Sequence, residues 1–254
     1  MDTIWTKLEV HKQKVINEYG EENILGVFLY GSQNYNLDTP NSDVDTKAII
    51  IPTFYDLCHA TPVSREIHFE NGEHCEVKDI REIVKMFKKQ NINFLEILYT
   101  KYCWINPKYQ ALWDEYFVCH KEAISHYDPQ KALASICGQA LHTIKQNPTD
   151  GKKIANSLRL IHFLNKYLAG ASYQSCIVLS NDKREELLKF KTGNFTYSPE
   201  LTEAIIAVLE NFTKTDHIDD FNALNFIYNK SNIAERQMTD GVIALIAKNV
   251  SFDF

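Results

Sequence analysis

The segment ILGVFLY, residues 24–30, is a short apolar run that stops abruptly at Gly31-Ser32. A run of that length bounded by turn residues reads as a strand buried on both faces. The polar stretch QNYNLDTPNS that follows is rich in Asn, Asp, Pro and Ser and reads as a loop. Residues 43–51 then form a second strand, closed by Pro52. Two buried strands this close together require a sheet, and the chain supplies more of one. EIHFE and EHCEVK flank Asn71-Gly72, which is a two-residue hairpin signal.

Helical patterning surrounds these strands. Residues 2–19 carry Trp5, Leu8, Lys12, Val15 and Tyr19 at helical spacing and stop at Gly20, a good C-cap residue. Asp79-Ile-Arg-Glu82 is a capping-box pattern, and Ile80, Ile83, Val84 and Phe87 share one apolar face. From about Asn93 onward the pattern predicts helices over 107–119, 129–147, 151–169, 182–190, 199–212, 218–229 and 232–248. Strands first and helices afterwards predict an α+β class, with an αβ core over 1–100 and a helical region over 101–254.

Composition excludes several classes. With 254 residues, 44% of them hydrophobic, 9 Gly and 7 Pro, the chain is neither disordered nor collagen-like. No run approaches the ~18 apolar residues of a membrane helix. The start, MDTIWTKLEVHKQK, lacks a signal-peptide apolar core, so a cytoplasmic protein without a membrane partner is expected. A net charge of −6 argues against broad non-specific nucleic-acid binding and leaves local basic faces open.

Metal-ligating patterns are sparse. The six cysteines contain no CxxC pair and are expected to be buried free thiols. Cys58-His59 and His74-Cys75 offer four zinc donors, but adjacent pairs are unlike the usual zinc spacings. His120, His126, His142 and His162 form no i, i+4 metal pair and read as structural.

Three features of the first hundred residues carry chemistry together. A strand runs into Gly31-Ser32, where glycine lets the backbone approach a ligand and Ser32 offers a hydroxyl and an amide to an anion. Asn41-Ser-Asp-Val-Asp45 follows, with Asp43 eleven residues after Ser32. On a strand, Asp43 and Asp45 point to one side about 6–7 Å apart, and Val44 enters the core. The second hairpin strand places His74, Glu76 and Lys78 on one face, so Glu76 is a candidate third carboxylate. Carboxylates on neighbouring strands suit Mg²⁺, which prefers a few carboxylates, water and phosphate oxygens. Two such ions can activate a hydroxyl and stabilise a leaving pyrophosphate, which is the chemistry of nucleotidyl transfer.

Other readings of the same residues are weaker. A Gly-Ser pair seen alone is turn punctuation. An EF-hand reading starting at Asn41 fails, because Thr46 and Pro52 stand where that loop needs Gly and Glu. No P-loop or GxGxxG pattern is present.

The pattern Leu29-Tyr-Gly-Ser32, Tyr35 and Ser42-Asp-Val-Asp45 resembles the signature of DNA polymerase beta-type nucleotidyltransferases. GSQNYNLDTPNSDVDTKAI followed by EVKDIREIVKMFKKQNINFLEILYT is similar to a bacterial and phage family of predicted nucleotidyltransferases that includes RNA-ligase-associated members. The resemblance covers roughly residues 25–100. It implies that Gly31 and Ser32 bind the NTP phosphates, that Asp43 and Asp45 bind Mg²⁺ or Mn²⁺, and that Glu76 is the third acid and general base. It also implies an NTP substrate and an acceptor hydroxyl on an RNA end, a protein or a small molecule. The chain departs from the family at Tyr35-Asn36, where Tyr-Gly is frequent. Asn tolerates a left-handed backbone, so the turn is expected to survive. Glu76 stands where Asp is frequent. Asp79 is its rival as third acid, although its place at a helix start favours an N-cap.

In the helical region, Lys152, Arg159 and Lys166 are spaced by seven on one helix face. Arg159 and Lys152 are therefore candidate nucleotide-binding residues, against the alternative of a solvated face. Lys85, Lys88 and Lys89 read as a solvated face as well. A nucleotide-sensing or partner-binding module on the same fold is the alternative to an enzyme.

Overall fold

The computed structural model describes residues 3–195, 197–228 and 231–250. The fold is α+β. A first helix, α1 (Thr3–Tyr19), precedes strand β1 (Ile24–Tyr30), and β2 (Asp45–Ile50) follows the polar loop. A short helix α2 (Phe54–His59) leads to the hairpin β3 (Ser64–His68) and β4 (His74–Asp79). Helices α3 (Ile80–Lys88) and α4 (Ile92–Leu95) lead to an edge strand β5 (Cys103–Ile105). The strand order is β3-β4-β2-β1-β5, with β2 and β4 parallel and the other neighbours antiparallel.

Each face of the sheet has its own cover. On one face α1 packs Leu8 and Val15 against Val27, Leu29, Ala48, Val77 and Cys75. The other face carries Leu25, Phe28 and Ile49 into a core shared with the helices that follow. Val44 is 3% exposed and packs with Leu8 and Leu29, in keeping with the expected inward position. Burial on both faces explains why β1 is apolar throughout rather than alternating.

Beyond β5 come α5 (Gln110–Trp113), which runs on as a wider π turn over Asp114–Val118, then α6 (Lys121–Ser125) and α7 (Pro129–Gln146). After these follow α8 (Gly151–Leu168), α9 (Tyr173–Ile177), α10 (Asn181–Lys191) and α11 (Pro199–Lys214). The last two described helices are α12 (Ile218–Tyr228) and α13 (Ser231–Val250). α8 packs against α7, α9, α10 and α11, and its Ile154, Leu160, Phe163 and Leu164 are fully buried. Residues 2 and 229, at the ends of two expected helices, lie outside the described residues.

Several expectations change in detail. β2 starts at Asp45, so Asp43 belongs to the preceding loop rather than to the strand. The hairpin has a three-residue loop, Glu70-Asn71-Gly72, closed by Phe69 N–H to Glu73 C=O at 2.9 Å. Gly72 takes φ 84°, the left-handed position of that longer loop. At α3 the Asp79 side chain caps the Arg81 amide, but Glu82 pairs with Lys85, so the reciprocal half of the capping box is missing. β5 lies past residue 100 and still extends the sheet through pairing with β1. All six cysteines are free, yet Cys58 and Cys119 are exposed rather than buried. No helix among the described residues is long and apolar enough to cross a membrane.

Candidate functional site

The register of β1 with β2 builds the site. Tyr30 pairs with Asp45, so the end of one strand and the start of the next lie side by side. The chain leaves β1 through Gly31 at φ 106°, a conformation that L side chains rarely adopt. The following turn closes on itself: Asn34 N–H and Leu37 N–H donate to the Gly31 and Ser32 carbonyls at 3.0 and 2.9 Å. Asn36 sits at φ 60°, a left-handed conformation that Asn tolerates better than most residues, so the expected turn forms. Gln33 then reaches across, donating through Nε2 to the Asp43 carbonyl at 2.6 Å.

A cavity of about 640 Å³ opens between this turn and the helical region. Gly31, Ser32, Asp43 and Asp45 line one wall, and Lys152, Asn156 and Lys191 line the other. Ser32 makes no hydrogen bond through its hydroxyl or amide to another described residue. Lys191, at the end of α10, donates to the Leu37 carbonyl at 2.7 Å and to Ser42 Oγ at 3.2 Å. Burial, with Lys152 close by, pushes the Lys191 ammonium down from its usual value. The two lysines meet because Gly151 brings the start of α8 against the Phe190 carbonyl. A Cβ at that glycine would lie 2.0 Å from the oxygen.

The predicted carboxylates are in different states. Asp43 is exposed at the rim. Asp45 Oδ1 accepts from the His74 amide at 3.1 Å and from His74 Nδ1 at 2.8 Å. An ionised carboxylate only accepts, so the Asp45 contact calls for a proton on His74 Nδ1, and Nε2 meets the Tyr30 hydroxyl. Glu76 does not line this cavity. It pairs with its register partner Lys47 and with Lys78 at 3.2 Å. Burial raises the Glu76 carboxyl, but the two lysines outweigh it and hold it below its usual value. Lys47 itself is buried between the rings of Tyr30 and Phe94, at 3.9 and 4.1 Å from their centroids. Asp79 is fully buried, caps α3 and pairs with Arg81, as its helix-start position implies.

In the helical region Lys152 reaches the cavity wall and Arg159 does not. Arg159 is neither solvated nor at the wall. It is 2% exposed, lies 3.8 Å over the Tyr35 ring, and donates to Asn156 Oδ1 at 3.0 and 3.1 Å. Lys166 donates to the Ser175 carbonyl at 2.6 Å. Sequence reasoning missed Lys191 and the buried Glu96, whose Oε1 accepts the Gly31 amide at 2.8 Å. Glu96 sits within an apolar helical pattern, and only a partner 65 residues away gives it a role.

Cys58 is exposed on α2 and Cys75 is buried towards α1, which separates the imagined zinc donors. Among the described residues no three His, Cys, Asp or Glu side chains form a ready metal cage. Asp43 and Asp45 are two carboxylates on one open polar wall. That donor set fits a hard divalent cation which takes its other oxygens from water and phosphate. No protein-family model matches the chain, and no curated protein matches it.

Proposed function

We propose that the chain is a metal-dependent nucleotidyltransferase, which moves a nucleoside monophosphate from an NTP to an acceptor hydroxyl and releases pyrophosphate. One observation carries this reading: the Gly31-Ser32 turn, Asp43, Asp45, Lys152 and Lys191 share a single cavity of about 640 Å³. The open Ser32 hydroxyl and amide and the two lysines would hold triphosphate oxygens, with charge-assisted bonds stronger than neutral ones. Asp43 and Asp45 would hold Mg²⁺ or Mn²⁺, which when bound supplies charge neutralisation and a more acidic acceptor hydroxyl. Most of the rate gain would come from positioning and electrostatic stabilisation. The acceptor is an RNA end, a protein or a small molecule, and the cytoplasm is the proposed location.

Glu76 would act as third acid only after release from Lys47 and Lys78. That pairing favours a second reading, a module that binds NTP without consuming it. Both are tested by incubating the protein with each α-labelled NTP, Mg²⁺ or Mn²⁺ and cellular RNA, beside an Asp45→Ala control. Label transferred to RNA or protein only with Asp45 intact supports the enzyme. Calorimetric NTP binding with no consumption supports the module, and no binding of any NTP sinks both.

A further inference from the structure

Glu96 touches the phosphate turn from behind. Glu96 is 1% exposed, its Oε1 accepts the Gly31 amide at 2.8 Å, and the Tyr35 hydroxyl acts on the same carboxyl. It borders a second cavity of about 420 Å³, which shares Gln33 with the first and is lined also by Asn34 and Asn36. The Gly31–Asn36 turn is thus a thin partition with a buried acid behind it. Tyr35 of the turn, Lys47 of β2, Arg159 of α8, Tyr30 of β1 and Tyr173 of α9 act on Glu96, and Tyr99, Lys101 and Tyr102 line the cavity it borders.

We propose that Glu96 is a positioning residue for nucleotide binding: it fixes the direction of the Gly31 N–H, and a nucleotide phosphate at Ser32 draws a proton onto its carboxyl. This rests on the nucleotide reading above. A phosphate on the far side of a thin partition disfavours a second negative charge behind it. The carboxylate takes one proton from solvent, and the resulting carboxylic acid keeps a carbonyl oxygen for the Gly31 amide, so the turn holds its shape. The starting point is favourable for that uptake. Burial pushes the Glu96 carboxyl up to about 7, against the lowering pull of the Tyr35 hydroxyl, the Gly31 amide, Arg159 and Lys47. Burial also raises Tyr30, Tyr35 and Tyr173, which keeps these phenols protonated through the neutral range.

The test is titration calorimetry with non-hydrolysable analogues of the four NTPs and Mg²⁺, from pH 6.5 to 8.5, in two buffers of different ionisation enthalpy. Wild type is expected to take up about half a proton more than Glu96→Gln at pH 7, because half of the carboxyls are ionised there. Above pH 8 its affinity should fall about tenfold per pH unit more steeply than that of the variant. Comparison with Glu96→Gln removes the proton changes of the nucleotide and of the rest of the protein. A second measurement needs no nucleotide: with ¹⁵N-glycine labelling, the Gly31 amide shift should titrate with a midpoint near 7 in wild type and stay flat in Glu96→Gln. If Glu96→Gln does not fold, the wild-type proton uptake and the Gly31 titration still decide. Binding with equal proton uptake in both proteins, or a Gly31 amide that ignores pH, overturns this inference alone. No binding of any analogue overturns the nucleotide reading and this one with it.

Discussion

Glu73 Oε1 accepts a hydrogen bond from the Val44 amide at 3.0 Å, so the residue between the two cavity aspartates is held by a carboxylate from the hairpin loop. Glu73 is 2% exposed and also meets Lys7, Asn71 Nδ2 at 2.8 Å and His11 Nε2 at 3.5 Å. His11 bonds Thr46 Oγ1 at 2.8 Å and stacks on Phe69 at 3.9 Å. Together these contacts fix the entry into β2 from the face opposite the cavity.

Glu73→Ala should destabilise the fold by about 2–3 kcal/mol in denaturant melts, because it leaves a buried amide and Lys7 without their partner. Glu73→Gln should recover part of that loss, since it keeps an acceptor for Val44. The pH dependence has a definite sign. Burial raises the Glu73 carboxyl, but bonds from Lys7, Asn71 and Val44 outweigh it and hold it below its ordinary value of 4.5. A depressed carboxyl contributes its stability in full above pH 4.5 and loses it as pH falls through the lower folded value. Acid melts of wild type should therefore steepen below pH 4.5 relative to Glu73→Gln.

Asp43 and Asp45 should separate structure from chemistry. Asp43 is exposed, so Asp43→Ala should change stability by no more than about 0.5 kcal/mol. Asp45→Ala also releases the His74 amide and ring and should cost about 1 kcal/mol. Each should lower nucleotide transfer at least about a hundredfold if charge stabilisation dominates the rate. Turnover retained by both folded variants would end the proposed mechanism.

Lys152→Ala and Lys191→Ala should differ in kind. Lys152 is exposed and serves only the cavity among the contacts described, so its loss should weaken NTP binding, by about 1.5 kcal/mol, with no change in melting temperature. Lys191 also ties down Leu37 and Ser42, so Lys191→Ala should weaken binding and raise amide exchange across residues 37–42. Equal exchange in the two variants would contradict the tether.

Gly151→Ala offers a packing test of the α8–α10 contact behind the lysine wall. Alanine is the better helix former by about 1 kcal/mol. Here its Cβ would lie 2.0 Å from the Phe190 carbonyl oxygen and 2.9 Å from the Phe195 ring. The backbone must move, and a net loss of about 1–3 kcal/mol is expected by calorimetry. A stabilised variant would show that α8 and α10 are free to separate.

Much of the candidate site's geometry is legible in the sequence. Strand, Gly-Ser turn, polar loop and aspartate pair are local signals, and the β1–β2 register brings them together as the residue types imply. Asn36 in a left-handed conformation and Asp79 as a cap were legible for the same reason, because both depend on a few neighbouring bonds. Other features depend on distant partners. β5 is three residues long, too brief for any periodicity, and exists only because β1 offers it an edge. Arg159 reads as a nucleotide-binding or a solvated cation by its helical spacing, but Tyr35 covers it. Glu76 reads as a free acid until the parallel register places Lys47 opposite.

The lysine wall has a mechanical meaning. The turn and the aspartates come from residues 31–45, whereas Lys152 and Lys191 come from more than a hundred residues later. A triphosphate seated between them would act as a rivet through both plates. Its grip would be felt as delayed melting of α8 and α10 as much as of the sheet, and a chain cut after residue 100 would keep its acids and lose the hand that closes over them.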